Sequence, residues 1–187
     1  MHDWRSLWES IGAPERPFSP EGRLSVIGVM LLACVSLATI HVLNPTPRLI
    51  WNATESAPVG LYWVRQDGRL EIGDLVLAWL PDEARVLAAQ RSYLPLNTPG
   101  VKRVAALAGD VVCVRNGFVL INEGLAARTL NVDRNGRELT PWWGCRALEP
   151  GEVLLLNDDS AASFDGRYFG PSRARDIVGK LVALWTF

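Results

Sequence analysis

Two residues in this sequence have the type and setting for acyl-transfer chemistry. Ser56 sits in the stretch Thr54-Glu55-Ser56-Ala57-Pro58-Val59-Gly60-Leu61-Tyr62-Trp63. Pro58 fixes its own φ and Gly60 admits φ values that other residues avoid, so the chain can bend sharply and leave Ser56 on an exposed rim. Leu61 to Val64 then read as a strand. A serine on such a perch is either a nucleophile or an ordinary turn residue, and the stretch alone leaves both open. Lys102 lies in Val101-Lys102-Arg103-Val104-Ala105-Ala106-Leu107-Ala108-Gly109-Asp110. If the start of that stretch is a strand, side chains alternate, so Lys102 shares a face with Val104 and Ala106 while Arg103 points the other way. Burial on an apolar face disfavours the charged ammonium and equips a lysine to act as a general base. The competing outcome is a lysine that snorkels to water along its own stem.

The supply of other bases is small. Of the two histidines, His2 is in the N-terminal tail and His41 ends an apolar run, so a Ser-His-Asp triad in the C-terminal part has no imidazole to use. Lys102 and Lys180 are the only lysines among nineteen basic residues. The rest are arginine, which does not deprotonate in proteins. Two cysteines without a histidine after the apolar run fall short of the usual zinc ligand set, so no metal is expected. Gly-rich phosphate loops and internal repeats are missing, and no cofactor is expected. A net charge of −1 offers no reason to invoke nucleic acid.

Three ordered stretches carry a family likeness. They are Ser56 to Tyr62, Lys102-Arg103-Val104 running to Leu107-Ala108-Gly109-Asp110, and Ser163-Phe164-Asp165-Gly166-Arg167-Tyr168-Phe169-Gly170-Pro171. Together they resemble the signal peptidase family of Ser/Lys endopeptidases, and within it the conjugative-transfer (TraF-type) peptidases. The resemblance implies a mainly β fold, an antiparallel signal-peptidase-like catalytic domain behind one N-terminal transmembrane helix. It implies Ser56 as nucleophile and Lys102 as base, with Asp165 counted among the catalytic residues. Thr54 matches the position that supplies a supporting hydroxyl at the oxyanion site, and Ser163 the one that orients the lysine. Asp165 and Arg167 match a polar pair that positions the site. The implied substrate is a membrane-embedded pilin precursor or other preprotein, cut after small residues, with conjugative secretion components and the lipid bilayer as partners. Hydrolysis and joining of the new end to an amine, giving a cyclic product, are both open. The sequence departs from the family pattern at Ala108, where proline is usual, at Gly166, where serine is common, and in the lead-in Leu156-Asn157-Asp158-Asp159. A general type I signal peptidase, a self-cleaving regulator and a non-enzymatic membrane-anchored β-domain of a secretion complex are the rival assignments. The apolar span weighs against the regulator.

The remaining sequence supplies elements to position these residues. Composition marks off a tail at 1–23, an apolar run at 24–43 read as a transmembrane anchor, and a remainder at 44–187 that the resemblance implies is the peptidase domain. In the tail, Trp4, Leu7, Trp8 and Ile11 fall at helical spacing between Asp3 and Gly12, as a short helix on the membrane surface would require, and a frayed tail is the equal alternative. Leu24 to Leu43 contain no Asp, Glu, Lys or Arg, and about 20 such residues span a bilayer core. A cleaved signal peptide is the alternative, but the long acidic leader favours a retained anchor. Arg5, Arg16 and Arg23 before the span lean towards an N-terminus inside the cell. The family resemblance implies the same orientation, with a cytoplasmic tail and a periplasmic domain at the bacterial inner membrane. Strands are expected at Asp74–Trp79, Val111–Val114, Phe118–Ile121, Glu152–Leu156 and Ile177–Trp185, with a helix from Glu83 to Gln90. Asn116-Gly117 reads as a hairpin turn. Cys34 lies inside the apolar run. An extracytoplasmic location permits a Cys113–Cys145 disulfide, against two free buried thiols. Trp51, Trp142 and Trp143 are candidates either for the membrane interface or for ordinary core packing.

Overall fold

A computed structural model describes residues 20–43 and 46–187. The helix expected over Trp4 to Ile11 lies outside the described residues. Two units are distinguished, Met1–Thr46 and Pro47–Phe187.

The described part of the first unit is helix α1, Pro20–Leu43. It begins four residues before the charge-free run, because the fixed φ of proline is pre-set for the first helical turn. At 1.5 Å per residue its 24 residues extend about 36 Å, enough to cross a bilayer core. Its Gly22–Thr39 window has a mean hydropathy of 1.8. Leu24, Val29, Leu32 and Leu37 are exposed. Ser36 and Thr39 return their hydroxyl protons to Leu32 O and Val35 O, each at 2.8 Å, so neither needs water.

The second unit is built from two antiparallel sheets. The strands are β1 (Leu49–Asn52), β2 (Gly60–Arg65), β3 (Leu75–Ala78), β4 (Gly100–Leu107), β5 (Val111–Arg115), β6 (Phe118–Ile121), β7 (Gly124–Arg128), β8 (Gly144–Ala147), β9 (Glu152–Leu156), β10 (Ser172–Arg173) and β11 (Ile177–Thr186). Helix α2 is Asp82–Gln90, and α3 is the single turn Gly166–Phe169. The larger sheet runs β1-β2-β11-β3-β4-β9-β10 and the smaller β7-β6-β5-β8. β4 alternates strictly from Lys102 onward: Lys102, Val104 and Ala106 are buried while Arg103, Ala105 and Leu107 are partly exposed. Val76, Ala78, Val104, Val153 and Leu155 form one core cluster of this sheet. Tyr62, Val64, Leu77, Val101 and Leu181 form another, which also takes in Ala57 beside the candidate nucleophile.

Asn116 and Gly117 have φ of 52° and 80°, the doubly positive pair of a type I′ hairpin turn between β5 and β6. Gly60 has a φ of 159°, a value that other residues avoid, and it has a second role besides. A Cβ at that position would lie 2.1 Å from Trp185 O, so glycine lets β2 and β11 approach and fixes where the Ser56 loop ends. Cys113 and Cys145 are opposed across β5 and β8 and joined by a disulfide that closes 32 residues. Cys34 is free.

The three tryptophans divide. Trp142 packs at the edge of the core beside Leu154 and Leu156, and its indole N–H donates to Gly166 O at 2.9 Å. Trp143 is 73% exposed. Trp51 is exposed and lies 6.2 Å, centroid to centroid, from both Trp185 and Phe187. With Leu49, Trp63, Val182 and Leu184 these residues leave one edge of the larger sheet apolar and open.

Candidate active site

Ser56 lies on the loop between β1 and β2, and that loop is braced from beneath by Asn52. The Asn52 side chain is buried at the end of β1. Its Nδ2 donates to Thr54 O, Ala57 O and Pro58 O, each at 3.0 Å, and its Oδ1 accepts from Thr54 N at 3.2 Å and Thr54 Oγ1 at 2.8 Å. One carboxamide thus ties down both sides of the Ser56 turn. Tyr62 OH donates to Pro58 O at 2.6 Å and closes the same loop from β2. Burial pushes the Tyr62 phenol up, with Arg103 opposing it, so the phenol stays a donor. Ser56 Oγ lies 3.3 Å from Thr54 Oγ1. A threonine hydroxyl has a single proton, and here it goes to Asn52; the Ser56 proton therefore points at Thr54. Thr54 accordingly holds the Ser56 hydroxyl, and its own proton is already engaged.

Lys102 comes from β4 and is 7% exposed. The stem runs over Gly100, where an added Cβ would sit 3.8 Å from Lys102 Cε and 3.3 Å from Leu80 Cδ1. Nζ donates to Ser163 Oγ at 3.0 Å, and Ser163 is itself buried. Burial pushes the Lys102 ammonium below the usual lysine range. The Asp165 carboxylate works against that and the Arg167 guanidinium adds to it. The lysine does not snorkel, and the neutral form that a base requires is favoured.

Asp165 and Arg167 form a buried ion pair, exposed by 0% and 1%. Arg167 Nε and Nη2 donate to the two carboxylate oxygens at 2.8 and 3.0 Å. Its remaining donors reach Arg128 O at 3.0 Å, Ala161 O at 3.2 Å, Asn157 O at 2.9 Å and Ser160 O at 3.2 Å. Arg167 therefore gathers the Asn157–Ser163 loop, and with it Ser163, against β7 and β9. The Asp165 oxygens are spent on Arg167 and on the amides of Asn157 and Arg167, at 2.9 and 3.2 Å. The pair is close to neutral as a unit, and so leaves the Lys102 pocket without a free carboxylate to hold the lysine proton.

Asn157 was not legible in the sequence as a site residue. Its Oδ1 accepts from Arg103 N at 3.2 Å and its Nδ2 donates to Val101 O at 3.1 Å. The carboxamide thus grips the backbone on either side of Lys102. Gly166 also has a local cause. A Cβ there would lie 2.8 Å from Leu155 O, so the chain passes too close to β9 for any side chain without a shift. Asn52 was likewise missed; its signal would have been a polar residue at an inward position closing an apolar strand.

Ser56, Lys102, Thr54 and Ser163 all line one open groove of about 1040 Å³, whose lining also includes Pro47, Trp51, Arg91, Tyr93 and Asp133. In this geometry Ser56 Oγ bonds to Thr54 and Lys102 Nζ to Ser163, and the two are not bonded to each other. Hydrogen bonds of a catalytic pair are often loose until substrate is bound. Among the described residues no cluster of His, Cys, Asp or Glu could hold a metal ion.

The chain belongs to the signal peptidase family, peptidase S26, whose profile matches residues 22–186. It is 37% identical over 138 residues to a plasmid transfer protein TraF of Escherichia coli, covering 68% of this chain and 77% of that protein. It is 32% identical over 145 residues to the conjugal transfer protein TraF of Agrobacterium fabrum, covering 73% and 81%. A signal peptidase I of Bacillus caldolyticus is 30% identical over 101 residues, covering 46% and 54%. Family membership carries serine peptidase chemistry with it.

Proposed function

We propose that this protein is a membrane-anchored endopeptidase in which Ser56 is the nucleophile and Lys102 its general base. The observation that carries the reading is a buried lysine, pushed towards its neutral form, that opens on the same groove as a serine held by a rigid loop. On substrate binding the Ser56 proton turns from Thr54 to Lys102 Nζ. Ser56 Oγ attacks the peptide carbonyl, and the Ser56 N–H with a second donor holds the oxyanion. Lys102 returns its proton to the departing amine, leaving an acyl-enzyme on Ser56. Attack by water, with Lys102 again as base, completes hydrolysis; attack by a substrate amine would instead yield a cyclic product. Asp165 and Arg167 act by positioning Ser163 and Lys102 and touch no reacting atom.

The natural substrate is a pilin precursor or similar membrane-embedded preprotein of a conjugative secretion apparatus, cut just outside the bilayer. Similarity to proteins named for plasmid and conjugal transfer supports this choice over general preprotein processing. An apolar helix of spanning length supports anchoring, and a disulfide supports an oxidising, periplasmic compartment for the second unit. The exposed Trp51, Trp185 and Phe187 suit the headgroup region, where aromatic rings are favoured.

The test is co-expression with a pilin precursor, followed by mass measurement of the product. Ser56→Ala should leave the precursor intact while the enzyme still inserts and folds. Processing by purified Ser56→Ala would remove this serine from the mechanism.

A further inference from the structure

The groove that holds Ser56 and Lys102 is lined by five acidic or basic side chains, and three of them are spent inside the protein. Lys102 donates to Ser163. Arg91 Nη1 donates to Glu138 O at 2.7 Å. Asp133 accepts from Tyr93 OH, from Arg137 Nε at 2.6 Å, and from the amides of Asn135 and Arg137, both at 2.8 Å. The other two, Glu55 and Arg134, are exposed, and neither has a hydrogen bond or ion pair among the described residues. They carry opposite charges.

Each of the two sits on a turn whose shape is fixed from within. Glu55 lies between Thr54 and Ser56, in the loop that Asn52 ties down through Thr54 O, Ala57 O and Pro58 O. Arg134 lies in a tight hairpin whose arms meet at Val132 and Glu138. Asp133 N donates to Arg137 O at 2.8 Å, and Gly136, with a φ of 74°, donates to Asp133 O at 3.0 Å. The hairpin is fastened to the segment after α2 by Tyr93 OH on Asp133 and by Arg137 Nη2, which donates to Arg91 O at 3.1 Å. The Arg137 guanidinium also lies 5.3 Å from the Tyr93 ring centroid. Tyr93 in turn packs on Phe164, centroids 5.4 Å apart, and Phe164 follows the serine that accepts from Lys102. The backbone beneath Arg134 is therefore tied to the catalytic residues by a continuous set of contacts. A charge held on such a backbone has only its own rotamers to order when a partner arrives, and a substrate seated in the groove removes water from the pair.

We propose that Glu55 and Arg134 select the substrate by charge: Glu55 favours a basic residue close to the scissile bond, and Arg134 an acidic residue at a separate position of the bound segment. The inference rests on Ser56 and Lys102 being the catalytic pair. Glu55 adjoins the nucleophile in the chain, so its partner lies among the residues next to the bond. Arg134 belongs to a different part of the lining and reads a different residue. Juxtaposed like charges are costly, so each position also rejects the wrong sign.

The test is kcat/KM of the full chain in non-ionic detergent on peptides cut after alanine, in which Asp, Ala or Lys replaces each residue flanking the bond in turn. The parent should favour Lys over Asp about fivefold or more at a position beside the bond, and Asp over Lys by a similar factor at another. Glu55→Lys should reverse the first preference and keep the second, and Arg134→Glu should reverse the second and keep the first. Each variant is scored by its own ratio between two peptides, so a change in folding or in overall rate cancels. Ser56→Ala is the control on the catalytic assignment. It should cleave none of the peptides; cleavage by it would overturn that assignment and this inference with it. Cleavage that depends on Ser56 but shows no charge preference, or a preference that neither Glu55→Lys nor Arg134→Glu reverses, would overturn the charge selection alone.

Discussion

Replacing Arg167 by methionine should release the active-site loop and lower the melting temperature of the sheet to which it is tied. The substitution preserves the length of the stem and removes five N–H donors. It leaves Asp165 buried and charged, with its bonds from Nε and Nη2 gone and only the backbone amides of Asn157 and Arg167 remaining. It also strips a donor from four carbonyls, those of Arg128, Ala161, Asn157 and Ser160. Breaking a buried ion pair by removing one partner costs about 3–5 kcal/mol. Total stability of a domain is roughly 5–15 kcal/mol. In a chain of this size each kcal/mol moves Tm by about 2–4 °C, so the loss is on the order of 10 °C. The assay is thermal unfolding of the full chain in detergent, followed by β-sheet circular dichroism, for Arg167→Met, Asp165→Leu and the double variant. Because the double variant leaves no unpaired charge, it should be more stable than the sum of the single losses predicts. Cleavage should fall in all three, since Ser163 loses its support. An Arg167→Met protein melting within about 2 °C of the parent would show that the pair does not pin the loop.

Other consequences can be checked with simple variants. Asn157→Leu should lower the cleavage rate with little change in substrate affinity, because it frees the backbone on either side of Lys102 and leaves the groove wall in place; a KM effect alone would count against this. Thiol labelling of denatured, unreduced protein should modify Cys34 only, and labelling of Cys113 or Cys145 would contradict the bridge. In the chain-entropy estimate that bridge contributes about 3.5–4 kcal/mol, so reduction should lower Tm. Lys102→Met should raise stability at neutral pH. The folded-state pKa of Lys102 lies below its unfolded value, so between the two the unfolded chain binds more protons, and the parent gains stability as pH rises through that window. The advantage of Lys102→Met should therefore shrink as pH approaches the ordinary lysine value, and a pH-independent difference would contradict a neutral buried lysine.

Much of the architecture was legible because the apolar alternation is clean. β4, the β5–β6 hairpin and β9 follow from period-2 patterning and from Asn116-Gly117, whose positive φ values only a few residue types tolerate. β1, β7 and β8 were not legible. Each is four or five residues long, and Gly124–Arg128 and Gly144–Ala147 carry little apolar signal because the neighbouring strand, rather than their own pattern, holds them in the sheet. Within the site, Ser56 and Lys102 could be named because a nucleophile and a buried base have few substitutes. Asn52 and Asn157 could not, since each acts through backbone carbonyls and amides whose location depends on strand pairing. Asp165 and Arg167 were legible as a positioning pair through the family likeness, but the two amides and four carbonyls that they hold were not.

The central claim is that Lys102 works as a base, and the most direct measurement is the cleavage rate of Lys102→Arg beside that of Arg103→Lys. Both substitutions preserve formal charge. Arg103 faces away from the groove and meets Asp158 and Asp159 only loosely, at 3.9 and 3.8 Å, so Arg103→Lys should cleave at close to the parental rate. Arginine at position 102 keeps its proton at any workable pH and cannot accept one from Ser56. Loss of a general base typically costs about 10²–10⁴-fold in rate, and more where nucleophile and base act as a unit. A Lys102→Arg enzyme slowed at least about a hundredfold, beside a near-normal Arg103→Lys, is the predicted result. Near-parental cleavage by Lys102→Arg would contradict the dyad.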